Sequence, residues 1–176
     1  MTTREHDPDD LTVIGIDPGE TTGVAIITVP RASIYNGQPG SISQHWPFEV
    51  SGSITGQVIA ICAKAREIGG LNGPYPAIQC EGFRLRTEVT GPEVLMPVRI
   101  EAALRFAVET GRASDSLMPP CQLPGSAKGT ITDERLKLWG LWTPGSDHKR
   151  DATRQAILLI RRAKTDPAVR MQAWGR

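Results

Sequence analysis

The sequence predicts an α/β fold, a mixed five-stranded sheet with helices on both faces. Three observations predict it. Short apolar runs that read as strands stand at 11–17, 23–29 and 76–83, the first β-branched and ended by Pro18-Gly19. Longer stretches with apolar residues at helical spacing lie at 54–68, 92–110 and 146–164. Their order is three strands, a helix, then strand, helix, strand and closing helices.

Each element has its own signal. LTVIGID (11–17) ends at Pro18-Gly19, and GVAIITV (23–29) returns from a Gly-rich turn as the second strand of a hairpin. The stretch 30–43, rich in Pro, Gly, Ser and Asn, reads as a loop. HWPFEVSG (45–52) reads as an edge strand, because Pro47 has no N–H to give a central ladder. ITGQVIAICAKAREI (54–68) reads as a helix stopped by Gly69-Gly70. PAIQCEGF (76–83) follows as a buried strand, and 92–110 as a long helix between Gly91 and Gly111. SLMPPCQLP (116–124) reads as a weak fifth strand. TDERLKLWGL (132–141) is a short helix capped by Thr132 or Asp133, and 146–164 a strong one capped by Ser146 or Asp147. The expected layout is a disordered lead at 1–10, one domain at 11–165 and a basic tail at 166–176.

Composition excludes several classes. With 39% apolar residues the chain is ordinary for a globular protein. It has no run near the roughly 20 apolar residues that span a bilayer. Its first ten residues are polar and acidic, opposite to a signal peptide. Cys62, Cys80 and Cys121 are scattered, without a Cys-x-x-Cys pair, which argues against a disulfide framework or structural zinc and fits a reducing cytoplasm. The net charge of +1 names no partner, but basic residues gather beyond Lys149, either to follow a phosphate backbone or as a solvated helix face.

Three segments carry candidate chemistry. In IGIDPGETTGVAII (14–27), Asp17 ends an apolar strand and is held at the sheet's rim, while Gly19 and Gly23 permit a tight return. An Asp-Pro-Gly turn without chemistry is the plain alternative. In AIQCEGF, Glu81 interrupts an apolar strand, which is costly unless the carboxylate is paired, bound to metal or turned to water. In DHKRDATRQAILLI (147–160), His148 and Asp151 share a helical face ahead of an apolar stripe that docks the helix on the sheet. Asp147 reads mainly as a capping residue, favoured by the helix dipole.

Together, the GIDPG turn, the strand-end glutamate followed by Phe83, and His-x-x-Asp-Ala opening the last helix resemble the RuvC family of Holliday-junction resolvases. The resemblance runs from about Val13 to Ile160. It implies the RNase H-like (RuvC-type) fold and an endonuclease for branched DNA, leaving a 5′-phosphate and a 3′-hydroxyl. It assigns Asp17, Glu81, His148 and Asp151 as catalytic and metal-binding residues. The implied cofactor is Mg²⁺, with Mn²⁺ able to substitute, since hard oxygen donors suit these ions. Asp17 would bridge two ions, Glu81 and Asp151 would hold one each, and His148 would be an outer ligand or proton shuttle. Many relatives carry a carboxylate at the His148 position and others a histidine. Residues 84–97, 124–145 and the C-terminal stretch depart from the bacterial pattern, and compact phage-encoded resolvases show similar divergence.

For DNA contact, Arg84 and Arg86 follow Glu81, Phe83 is either a stacking residue or a core aromatic, and Lys128 is either a phosphate contact or solvated. The helix at 92–110 is apolar nearly all round, which predicts a homodimer through it unless residues 112–145 cover that face. Three rival readings stand. An actin-like ATPase or sugar kinase shares the first hairpin but needs a second domain. A YqgF-like nuclease for ribosomal RNA precursors shares the fold and the GIDPG turn. A catalytically silent binder of branched nucleic acid would gain from losing the acidic set.

Overall fold

The first two strands, β1 (Leu11–Asp17) and β2 (Thr21–Val29), pair antiparallel with Asp17 opposite Gly23. The computed structural model describes residues 9–35, 42–69, 75–83, 95–123 and 125–175. The expected disordered lead lies mostly outside them; Asp10, its last residue, is buried and accepts a hydrogen bond from the Ser43 hydroxyl. The stretch expected as a loop at 30–43 instead opens with a short helix, α1 (Arg31–Tyr35). Strand β3 (Gln44–Ser51) pairs antiparallel with β2, and β4 (Ala77–Cys80) pairs parallel with β1. The sheet order is β3-β2-β1-β4, so Pro47 does lie on an edge strand, where its missing N–H costs no ladder bond.

The sheet therefore has four strands among the described residues, not five. Residues 116–124 join it only through isolated bridges of Leu117 to Ala77 and Gln122 to Glu81. Pro119 and Pro120 interrupt that segment, and a run without consecutive N–H donors cannot sustain a ladder. A short strand that the sequence did not announce, β5 (Arg112–Asp115), precedes it.

Alternation along the strands sorts the core into two layers. Leu11 and Val13 of β1, with Ile27 and Val29 of β2, face a layer that includes α1, α5 (Asp133–Leu138), α6 (Asp147–Thr165) and α7 (Pro167–Trp174). Ile14, Ile16, Val24 and Ile26 face α2 (Ile54–Gly69) and α3 (Met96–Glu109). Helices on both faces are thus present as expected. Between α3 and α5, the short helix α4 (Ser126–Thr130) begins at Gly125, whose φ of 75° is left-handed.

Helix α6 lies directly on β1 and β2 because two glycines let it. A Cβ at Gly15 would overlap the carbonyl oxygen of Ala152, and one at Gly23 the carbonyl oxygen of His148. The expected basic tail is instead the helix α7. Val169, Ala173 and Trp174 are buried in the α6 layer, and the Trp174 indole donates to the Thr12 carbonyl at 3.3 Å. No helix among the described residues is long and apolar enough to cross a membrane.

Candidate active site

Register places the first two acidic residues side by side. On β1, Val13, Gly15 and Asp17 alternate onto the α6 face; on β4, Ala77 and Gln79 do the same. The parallel pairing runs Val13 with Ala77 through Ile16 with Cys80, so its next step sets Asp17 beside Glu81. The Glu81 N–H continues the ladder, donating to the Ile16 carbonyl at 3.0 Å. Neighbouring strands are about 4.8 Å apart, so two carboxylates on one face at this step confront each other.

Helix α6 supplies the other two residues from its first turns. The N-cap position is Ser146, whose hydroxyl is spent on Glu49. Asp147 is the first helical residue and pairs with Arg150, away from the site, so it provides no side-chain cap. His148 Nδ1 lies 2.8 Å from Asp17 Oδ2. Asp151 is buried, with Oδ1 held by Arg154 at 2.6 Å and Oδ2 by Lys128 Nζ at 2.6 Å. Arg154 is itself buried, donates to the Ile131 carbonyl at 2.8 Å and pairs with Asp133. Gly125 N–H donates to Glu81 Oε1 at 2.9 Å.

These four side chains form one electrostatic cluster. Burial raises the Asp17 carboxyl above the ordinary aspartate range, against hydrogen bonds from His148 and Glu81 that lower it, with the Asp151 charge adding to the rise. Glu81 is pushed up to about 7, first by burial and then by the neighbouring Asp17 and Asp151 charges, against the Gly125 N–H. Lys128 is raised, chiefly by its hydrogen bond to Asp151. The cleft above the cluster, about 340 Å³, is lined by Asp17, Glu81, Phe83, Pro97, Gly125 and Lys128. A larger cavity of about 780 Å³, bounded by Val29, His45, Trp139 and Lys164, holds none of the clustered acids.

The structure thus brings together Asp17, Glu81, His148, Asp151 and Lys128, with Phe83 on the cleft wall. Arg84 and Arg86 lie outside the described residues. The sequence reading missed Arg154 and Gly125. Arg154 stands three residues after Asp151, a spacing that itself signals a helical ion pair; a backbone N–H such as Gly125's leaves no sequence signal.

The donor set suits a hard divalent cation. Three carboxylates share one rim, where burial first and the neighbouring acidic charges second oppose the ionisation of Asp17 and Glu81, a penalty that a bound cation would relieve. Among the described residues, however, no three His, Cys, Asp or Glu side chains already stand at ligation distance. The cations nearest Asp151 are the chain's own Lys128 and Arg154.

No family model matches the chain, and no curated protein matches it in sequence. Solved structures do match it in fold, two of them RuvC structures. One is Thermus thermophilus RuvC in complex with a Holliday-junction substrate, 19% identical with a TM-score of 0.54, covering 88% of this chain and 95% of that one. The other is a Thermus thermophilus RuvC structure, 20% identical with the same TM-score, covering 88% and 96%. The chain has the RuvC-type RNase H-like fold.

Proposed function

We propose that this protein is a metal-dependent endonuclease acting on branched DNA, and that four-way junctions are its main substrate. The observation that carries this reading is the meeting of Asp17, Glu81 and Asp151, from three elements distant in sequence, at one rim of this fold. A neighbour of the same fold was solved with a Holliday junction, which agrees with the substrate class. The intact acidic set weighs against a silent binder, because three carboxylates repel a phosphate backbone that a binder would attract.

Asp17, Glu81 and Asp151 would hold Mg²⁺ or Mn²⁺, with His148 at the edge. Such ions, when bound, supply activation of the attacking water and charge neutralisation at the leaving oxygen. The chain's own groups do the positioning. The paired strands fix Asp17 against Glu81, and the Asp17–His148 contact orients both groups. An imidazole there is placed to pass a proton to or from Asp17. Arg154 fixes one oxygen of Asp151. Phe83 on the cleft wall stacks on a base exposed at the branch point. A two-fold dimer would present two such clefts to opposed strands.

The test is a substrate panel. Labelled four-way junction, flap, duplex DNA and structured RNA are incubated with Mg²⁺, and the cuts are mapped. Paired cuts across the junction, absent in Asp17→Asn but with junction binding retained, are expected. Preferential cutting of structured RNA, or full activity in Asp17→Asn, would overturn the reading.

A further inference from the structure

Every oxygen that Asp151 could give to a metal is already occupied, and the two occupants differ. Arg154, on Oδ1, is buried and anchored by the Ile131 carbonyl and by Asp133. Lys128, on Oδ2, has a side chain 58% exposed, against 7% for Asp151. It rides on α4, five residues long, which starts at left-handed Gly125 and contains Gly129. The same segment also donates the Gly125 N–H to Glu81 Oε1. Two of the three carboxylates assigned to the metal are therefore engaged by one short segment, one through an ammonium and one through a backbone donor.

We propose that Lys128 is a resident competitor for the metal. Its ammonium holds the place of a cation on Asp151 until a divalent ion displaces it, so residues 125–130 act as a latch that sets the metal affinity of the site. The proposal rests on the metal-site reading above. The argument is electrostatic. A lone carboxylate oxygen cannot serve an ammonium at 2.6 Å and a metal ion at coordination distance without the two cations repelling each other. Arg154 does not yield, because the Ile131 carbonyl and Asp133 hold its buried guanidinium in place beside Oδ1. Lys128 can, because its exposed side chain returns to water at little cost. Once released, the ammonium remains beside the cleft, where a phosphate would meet it. The contact expected of Lys128 with DNA would then follow metal entry.

Calorimetric titration of the DNA-free protein with Mn²⁺ alone, at neutral pH, tests this. Lys128→Ala should bind Mn²⁺ roughly three- to tenfold more tightly than the parent, the range expected for removing a partly exposed competing charge. Lys128→Arg, which keeps a cation, should not tighten. Amide exchange at 125–130 in the parent should quicken on adding Mn²⁺, as the latch leaves Asp151 and Glu81. Equal or weaker binding by Lys128→Ala, with Mn²⁺ binding still lost in Asp151→Asn, would overturn the latch while leaving the metal site standing. Absence of Mn²⁺ binding in every form, Lys128→Ala included, would overturn the metal site and the latch with it.

Discussion

Glu81 is a carboxyl whose protonation is linked to folding. Its folded value near 7 lies above the ordinary glutamate range because burial and the Asp17 and Asp151 charges oppose ionisation. In the interval between, the folded state binds more protons than the unfolded state, so stability falls as pH rises toward 7. Glu81→Gln removes that dependence. The variant should be more stable than the parent above pH 7, by about 1–2 kcal/mol once the partial exposure of the group is discounted, and the advantage should vanish near pH 4. Thermal melts of both proteins from pH 4 to 8.5 without metal check this, and parallel curves would disprove it. His148 yields a second prediction at this scale. Its ring reaches Asp17 at 2.8 Å from the exposed end of α6. His148→Asp should retain substantial cleavage, because a carboxylate there can also face a metal ion. His148→Ala should lose about 10²-fold or more, the usual size of a proton-transfer or positioning contribution. Equal rates in all three proteins would reduce the histidine to a neighbour of the site.

At the scale of elements, the site depends on how closely α6 approaches the hairpin. Gly23 meets the backbone of His148, so Gly23→Ala must push away the turn that bears His148 and Asp151. An overpacked contact of this kind costs about 1–3 kcal/mol, and a displacement near 1 Å costs cleavage about 10²-fold. Melting temperature and single-turnover rate should therefore fall together, while an unchanged rate would show that α6 can adjust. The same scale shows what the sequence made legible. Asp17 and Glu81 were readable because a carboxylate ending or interrupting an apolar strand is conspicuous, and His148 and Asp151 because the apolar stripe that follows fixes their face. Lys128 was readable only as a loose cation, since its contact with Asp151 joins segments with no local pattern in common. Helix α7 was read as a tail because Val169, Ala173 and Trp174 are few among polar neighbours, and only the groove beside α6 makes them a buried face. The failed fifth strand is the reverse case, a hydrophobic segment whose prolines prevent a ladder.

For the whole molecule, the exposed apolar surface of α3 is the feature on which the expected dimer rests. Ile100, Leu104 and Ala107 face the sheet, while Phe106 remains 60% exposed and Ile59 of α2, beside it, 59%. Between the two helices runs a groove of about 450 Å³ lined by Ile54, Val58, Ile59, Ala103 and Phe106. Among the described residues, the segment 112–145 leaves the Phe106 ring exposed. A second copy meeting it across a two-fold axis would bury the same patch on both chains. Light scattering after size-exclusion chromatography should give a dimer mass at micromolar concentration, and Phe106→Glu should give a monomer. A monomeric parent would remove the dimer.

The crossing of α6 over β1 also bears on when the acidic cluster is completed during the protein's own synthesis. Asp151 lies 134 positions after Asp17, so a ribosome adding about 5–20 residues per second takes roughly 7 to 27 s between them. For most of that interval the nascent chain has both strands of its hairpin but lacks the helix that closes the acidic cluster. Under the proposed function, a translating chain could not cleave nucleic acid until α6 has emerged and docked.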